Sequence, residues 1–344
     1  MRRVGVVLIV VLVIAAIAAI VWFAGPRVSR DTTVTFDPAA IGNDVDAWLA
    51  AREAAVPGIR DAHAKEVVWA FPASRARTPL AIVYVHGFSA SKHEIRPVPD
   101  DVAKALGANL FYTRLTGHGR DGPAMAEASV NAWVNDFAEA LAVGHAIGEK
   151  VVVIAVSTGG SIAAWAATRP EFRDRMAGLV LVSPNFGVRA SGAGLLAGPW
   201  GLQIARLVAG SERGFEPAND AQRRYWTTRY PIEATLPMAA VVDMAATAPV
   251  ETIDVPALFI ISDEDQVVRP DITRTIADRW GAPHEILAVQ VDLPETVQDQ
   301  SRIAAELSAR LQGAEQLVES CKNQLSVIDV TTSALLRAAF QGTL

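Results

Sequence analysis

The chain has 344 residues, 51% of them hydrophobic, with one cysteine and a formal net charge of −6. That length holds one large α/β domain plus appendages, with enough apolar residues for a sizeable core. The acidic balance and the lack of any dense basic run argue against a nucleic-acid surface. The lone Cys321 excludes an intrachain disulfide and a cysteine-based metal site.

Behind Arg2 and Arg3, residues Val4 to Ala24 form an unbroken apolar run. A bilayer crossing takes about 20 such residues, so a membrane anchor is expected over 4–24. The rival is a cleaved signal peptide, for which Ala16-Ile17-Ala18 offers a small-x-small site. The apolar run continues to Phe23, however, and Trp22 sits where an interfacial aromatic would, which favours an uncleaved anchor. Arg2 and Arg3 favour a cytoplasmic start and an extracytoplasmic, periplasmic-type main domain, although Arg27 and Arg30 flank the other end. Residues 27–64 read as a strap, with a helix over Asp44 to Ala55 whose apolar side is Val45, Leu49 and Ala50.

Seven strands follow in the pattern: Glu66–Phe71, Leu80–Val85, Asn109–Leu115, Val151–Val156, Leu179–Val182, Ala257–Ile261 and Glu285–Val291. Helical spacing fills most gaps, over Val102–Leu106, Ala124–Ile147, Ser161–Phe172 and Asp271–Trp280. Apolar runs alternating with helices predict an α/β fold with a mainly parallel, doubly wound sheet. Ligands on such sheets bind beyond the carboxyl ends of the strands. The interval from Arg189 to Val255 is too long for a crossover, and it carries Trp200, Phe215, Tyr225, Trp226 and Tyr230. Excursions of that length are usually lids, so a helical cap over 189–255 is expected, against the plainer alternative of more core helix.

The stretch around which the rest is arranged is Val151-Val152-Val153-Ile154-Ala155-Val156-Ser157-Thr158-Gly159-Gly160. A β-branched run stops at a serine, then two glycines and a small-residue helix follow. This is a strand, a sharp turn and a helix with a hydroxyl at the apex, a Gly-x-Ser-x-Gly elbow with Ala155 in the first glycine's place. A capping serine in an ordinary turn is the plainer reading of the pentapeptide alone. Two further signatures stand in order around it: His86-Gly87-Phe88 after an early strand, and Asp263-Glu264-Asp265-Gln266-Val267-Val268 after a late one.

With these three motifs, residues about 65 to 292 resemble the α/β-hydrolase superfamily, close to its monoacylglycerol-lipase-like and serine-aminopeptidase-like esterases. The resemblance implies Ser157 as nucleophile, the N–H groups of Phe88 and Thr158 as oxyanion donors, and Asp265 as the acid. His86 and His118, the latter in Gly117-His118-Gly119, are expected to be structural, with a rim role open for His118. No metal or organic cofactor is implied, and the aromatic cap suggests a small or medium acyl ester as substrate. A serine peptidase remains the third reading, since amide and ester hydrolysis share this machinery.

The base of such a triad should follow the last strand, yet no histidine occurs after His284, which precedes that strand. Turnover is therefore expected to be impaired. From about Asp292 the sequence departs from the hydrolase pattern. Ser301 to Leu344 carries heptad-spaced Ala304, Leu307, Leu311, Ala314, Val318, Cys321, Leu325 and Ile328, the pattern of an amphipathic or coiled-coil helix over 293–344. Leu293-Pro294-Glu295, Gln300 to Leu307 and Leu335 to Gly342 resemble the last helix of type I restriction specificity subunits, a spacer that contacts methyltransferase subunits. No target-recognition domain accompanies it, so DNA binding does not carry over. A junction near Asp292, by gene fusion or chimeric assembly, would account for the missing histidine. It would also allow a non-catalytic hydrolase-like protein that self-associates or binds a partner through 301–344.

Overall fold

The computed structural model describes residues 2 to 289. Nine strands lie in this span: β1 (Glu66–Val68), β2 (Thr78–Val85), β3 (Asn109–Tyr112), β4 (Gly148–Val156), β5 (Gly178–Val182), β6 (Glu212–Gly214), β7 (Arg229–Pro231), β8 (Ala257–Ile261) and β9 (His284–Ala288). The helices are α1 (Arg2–Phe23), α2 (Val45–Ala54), α3 (Val98–Leu106), α4 (Val130–Ile147), α5 (Thr158–Ala167), α6 (Pro170–Arg173), α7 (Gly201–Ala209), α8 (Asp220–Tyr225), α9 (Thr235–Ala246) and α10 (Pro270–Asp278). Seven strands form one sheet in the order β1-β3-β2-β4-β5-β8-β9, parallel except for the antiparallel edge strand β1.

The order follows from which runs are apolar on both faces. Parallel strands sandwiched between helix layers need continuous hydrophobic sequence. Ala81 to Val85 of β2 supplies it, fully enclosed. On one face α4 lays Trp133, Phe137 and Leu141 into the core. Beside it, in contact with α4, α5 contributes Ile162, Ala163 and Ala166 to the same cluster. The expected helix over 124–147 is broken at its start: Pro123–Glu127 is a 3-10 turn, and Ser129 caps α4 by accepting from Ala132 N at 3.0 Å. Ser161–Phe172 divides likewise, with Pro170 opening the short α6.

The strap packs against the core of the sheet domain. Asn135 of α4 accepts from Thr35 N and Phe36 N at 2.7 and 2.9 Å. Lys65 and Arg52 both pair with the buried Glu139. Asp44 caps α2 through Ala47 N at 3.0 Å, and Val45 and Leu49 are buried as expected. Ala50 is exposed, and Trp48 takes its place against the core. Position 50 lies five residues beyond Val45, well off the face a 3.6-residue period defines.

Residues 2–23 form α1, but the side chains at 2–8, 10, 11 and 18 are outside the described residues. Among the described residues no helix is long and apolar enough to cross a membrane, so the expected crossing over 4–24 is not shown here. The amphipathic or coiled-coil segment over 293–344, with its restriction-subunit resemblance, lies outside the described residues.

The excursion over 189–255 divides into two portions. Its first portion holds a 3-10 turn (Ala193–Ala197), α7, α8 and a two-stranded hairpin of β6 and β7. The second portion belongs to the core: α9 packs on α5 with Ala240, Val241 and Ala245 buried, and Val250, Ile253 and Val255 join the same cluster. The expected cap therefore does not include α9, which is apolar around most of its girth and is buried as core helices are. Its aromatics are also divided. Trp200 donates to Val21 O at 2.9 Å, Tyr225 stacks on His93 at 4.0 Å, and Tyr230 turns inward onto Phe88 at 5.2 Å.

Candidate active site

β4 ends at Val156, and Ser157 takes φ 48° and ψ −116° before α5 begins at Thr158. A non-glycine residue in that region is strained and persists only where its surroundings hold it. The holding bonds are visible: Ser157 N donates to Val182 O at 3.0 Å, while Ser157 O accepts from Ser161 N at 3.1 Å and from Asn185 N at 3.0 Å. Ser161 adds a bond from its hydroxyl to Asn185 O at 2.6 Å. Gly159 explains why the elbow needs small residues. A Cβ there would come within 2.4 Å of Val85 O and 2.7 Å of His86 O, so α5 leans directly on the end of β2. Ala155 at the first glycine's position is fully buried, so its methyl is accommodated.

The loop after β2 meets this elbow. Leu115 N donates to His86 Nε2 at 3.1 Å, and His86 Nδ1 bonds Gly87 O at 2.8 Å, so both ring nitrogens are committed to the backbone. Burial pushes His86 down to about 4, which keeps it a neutral scaffold. His118 is likewise enclosed and held well below the usual imidazole range by desolvation, and its Nε2 accepts from Ser89 N at 3.0 Å. Gly87 N donates to Glu94 Oε2 at 2.8 Å. The amides on either side of Phe88 are thus both occupied, while Phe88 N itself makes no hydrogen bond among the described residues. Thr158 N, first in α5, has no intrahelical acceptor, as at any helix start. These are the two amides expected of an oxyanion hole, and the β2–β4 pairing brings their loops side by side. The Phe88 ring is wedged edge-on among His118, Trp133 and Tyr230.

Asp265 follows β8. Its Oδ1 accepts from Val267 N at 2.8 Å and Val268 N at 2.9 Å, and Arg189 Nε donates to its carbonyl at 2.5 Å. Asp263, two residues earlier, points outward into a salt bridge with Arg274 at 2.9 Å. β4, β5 and β8 are consecutive neighbours, so the serine and acid loops stand two strand spacings apart, roughly 10 Å.

A model of the alpha/beta hydrolase family matches residues 82–297. The chain belongs to the alpha/beta hydrolase family. It is 28% identical over 193 residues to a thermostable monoacylglycerol lipase of Bacillus sp. (strain H-257), a match covering 56% of this chain and 73% of that protein. Among solved structures it resembles that of a metagenome-derived lipolytic enzyme described with LipS and LipT, at TM-score 0.56 and 21% identity over 75% of this chain and 99% of that one. A soluble variant of monoglyceride lipase from Saccharomyces cerevisiae, solved with a substrate analogue, aligns at TM-score 0.51 and 12% identity, covering 65% and 82% of the two chains. At those identities the two structures support the fold.

Within this hydrolase all six histidines are described, and none is bonded to Ser157 or Asp265. His63 Nδ1 bonds Asp61 O at 2.8 Å, His93 stacks on Tyr225, and His145 Nε2 bonds Arg175 O at 2.9 Å. His284 opens β9 opposite Ala257, the first residue of β8, so it stands at the far end of the sheet from Ser157. One carboxyl that the sequence left unremarked does border the serine. Glu94 lies in the loop after β2, and the position a Cβ on Gly87 would occupy is 2.7 Å from Glu94 Oε1 and 3.1 Å from Ser157 Cβ. Burial pushes Glu94 up to about 7, against the lowering effect of its bonds from Gly87 N and Tyr84 OH. Part of the residue still reaches solvent. Only a polar residue six positions past His-Gly-Phe signals it in the sequence.

Proposed function

We propose that this protein is a serine hydrolase of carboxylic esters, built for small or medium acyl esters and impaired in turnover. The observation that supports this best is the strained Ser157 elbow, at the carboxyl end of β4 and in contact with the Gly87–Phe88 loop. Ser157 Oγ would attack the acyl carbon, and Phe88 N–H and Thr158 N–H would stabilise the oxyanion. Asp265 would hold an imidazole, if one were present. The sequence supplies no histidine beyond His284, so Ser157 lacks the group that would take its proton. Losing that member of a triad typically lowers kcat by several orders of magnitude.

The 4–24 segment would tether the domain to a membrane with the hydrolase on the extracytoplasmic side. The absent base also favours a second reading, a non-catalytic hydrolase-like protein that associates through 301–344. Peptide-bond hydrolysis is the third. Hydrolysis of p-nitrophenyl acetate and butyrate, beside Ser157→Ala and a p-nitroanilide, separates the three. Slow, Ser157-dependent ester cleavage is expected. Rapid cleavage would refute the impairment, and none above the alanine variant would refute the enzyme.

A further inference from the structure

We propose that Glu94 is the positioning residue of the oxyanion loop: one carboxyl oxygen clamps Gly87 N–H, and the other fills the space behind Gly87, so that Phe88 N–H is left as the free donor beside Ser157. This rests on the reading of Ser157 and Phe88 given above. Three observations converge on it. Glu94 Oε2 accepts from Gly87 N at 2.8 Å and from Tyr84 OH at 3.1 Å, so a single oxygen ties the loop to the penultimate residue of β2. Glu94 Oε1 and Ser157 Cβ border the same Cβ-sized volume beside Gly87, at 2.7 and 3.1 Å from its centre, so the carboxyl, the glycine and the serine meet at one point. The amides of residues 87 and 89 are taken by Glu94 and His118, which isolates the amide of Phe88 between two fixed neighbours.

The clamp stands on a rigid base. Tyr84 is fully enclosed in β2 and meets Tyr112 edge-on at 5.3 Å. Tyr112 OH donates to Asp100 at 2.5 Å, and Arg96 lies over its ring at 4.7 Å. On its own loop, Glu94 N donates to Ser91 O at 3.0 Å. The flanking Lys92 and Arg96 both pair with Glu66 of β1, at 2.6 and 3.0 Å. A carboxyl held this firmly sets the loop's path at a point where a shift of a fraction of an ångström moves an oxyanion donor.

The test uses the full chain and two readouts, the rate at which a fluorophosphonate labels Ser157 and the hydrogen exchange of segment 86–89. Ser157→Ala is the blank, with Glu94→Ala, Glu94→Gln and Glu94→Asp as variants. A lost oxyanion donor lowers such rates by about 100-fold or more. Glu94→Ala and the shortened Glu94→Asp are therefore expected to label at least about 10-fold more slowly and to exchange Gly87 N–H faster. In Glu94→Gln the amide oxygen accepts the same two bonds, and labelling is expected to stay within about threefold of the unaltered protein. Should the alanine variant not fold, the aspartate variant carries the same comparison. Unchanged labelling and exchange in the alanine or aspartate variant would overturn the proposal. So would a glutamine variant as slow as alanine, because the charge would then be acting on Ser157 itself. If the unaltered protein labels no faster than Ser157→Ala, the nucleophile reading fails, and the exchange of Gly87 N–H still decides the role of Glu94.

Discussion

Glu94→Gln tests the electrostatics of the site through stability. The Glu94 carboxyl is pushed from the usual 4.5 up to about 7, chiefly because burial penalises its charged form. An unfolded chain ionises this group above about 4.5, whereas the folded chain holds the proton to about 7. The folded state therefore binds more protons across that interval, and stability falls as pH rises through it. At about 1.4 kcal/mol per tenfold change in proton affinity, ionising Glu94 in the fold costs roughly 3 kcal/mol by pH 8. That is a ceiling, since part of the residue faces solvent.

Glutamine keeps the shape and an oxygen for Gly87 N and Tyr84 OH but never ionises. Glu94→Gln is thus expected to match the parent at pH 4.5 and to be more stable at pH 8. Half the ceiling corresponds to a rise in Tm of roughly 3–6 °C for a domain of this size. Both proteins share the opposite slope from the histidines His86 and His118, whose burial holds them neutral, so that slope cancels in the difference. Thermal unfolding of both proteins at closely spaced pH values between 4.5 and 8 is the assay. A stability difference that is flat across the range, or largest at the acid end, would refute the argument that Glu94 is a desolvated carboxyl.

Further outcomes follow from other contacts. Gly159→Ala places a methyl against two backbone carbonyls, Val85 O at 2.4 Å and His86 O at 2.7 Å. It is expected to lose about 2–3 kcal/mol in urea unfolding together with Ser157 labelling. Lys65→Met removes the enclosed partner of Glu139, whose remaining partner Arg52 is half exposed. Breaking a buried pair from one side costs about 3 kcal/mol or more, readable as a lowered urea midpoint. Added imidazole is expected to raise p-nitrophenyl ester cleavage by the parent above the imidazole-only background, in proportion to its concentration, and to leave Ser157→Ala at that background. Rescue absent at all concentrations would show that a missing base is not the defect.

Much of the hydrolase core was legible because its central strands are continuous apolar runs with nothing else to be. Val151 to Val156 and Ala257 to Ile261 admit few alternatives, and both are strands. Ends were less legible. β3 stops at Tyr112 rather than Leu115, since Leu115 N turns away to His86. The β6–β7 hairpin was hidden because Glu212-Arg213-Gly214 and Arg229-Tyr230-Pro231 lack an apolar face. α9 was hard to place within 189–255 because its small apolar residues suit a cover over a site and a layer on a sheet equally, and only its burial against α5 decides. Glu94 escaped for a related reason. Its neighbours Tyr84, Gly87 and Ser157 are brought to it by the β2–β4 pairing and not by spacing along the chain.

The way these loops are assembled would let the proposed site be nearly whole and still lack a base. The loops after β2, β4 and β8 carry Phe88, Ser157 with Thr158, and Asp265, and all three strands lie inside the sheet with neighbours on both sides. The first two loops are fixed by hydrogen bonds to their surroundings, between Ser157 and both Val182 and Asn185, between Ser89 and His118, and between Gly87 and Glu94. β9, after which the imidazole should come, pairs with β8 and is the edge of the sheet among the described residues. Replacement of the chain beyond it would leave every one of those bonds intact. The elbow would keep its strain, the amide of Phe88 would keep its place, and the loss would fall on proton transfer alone.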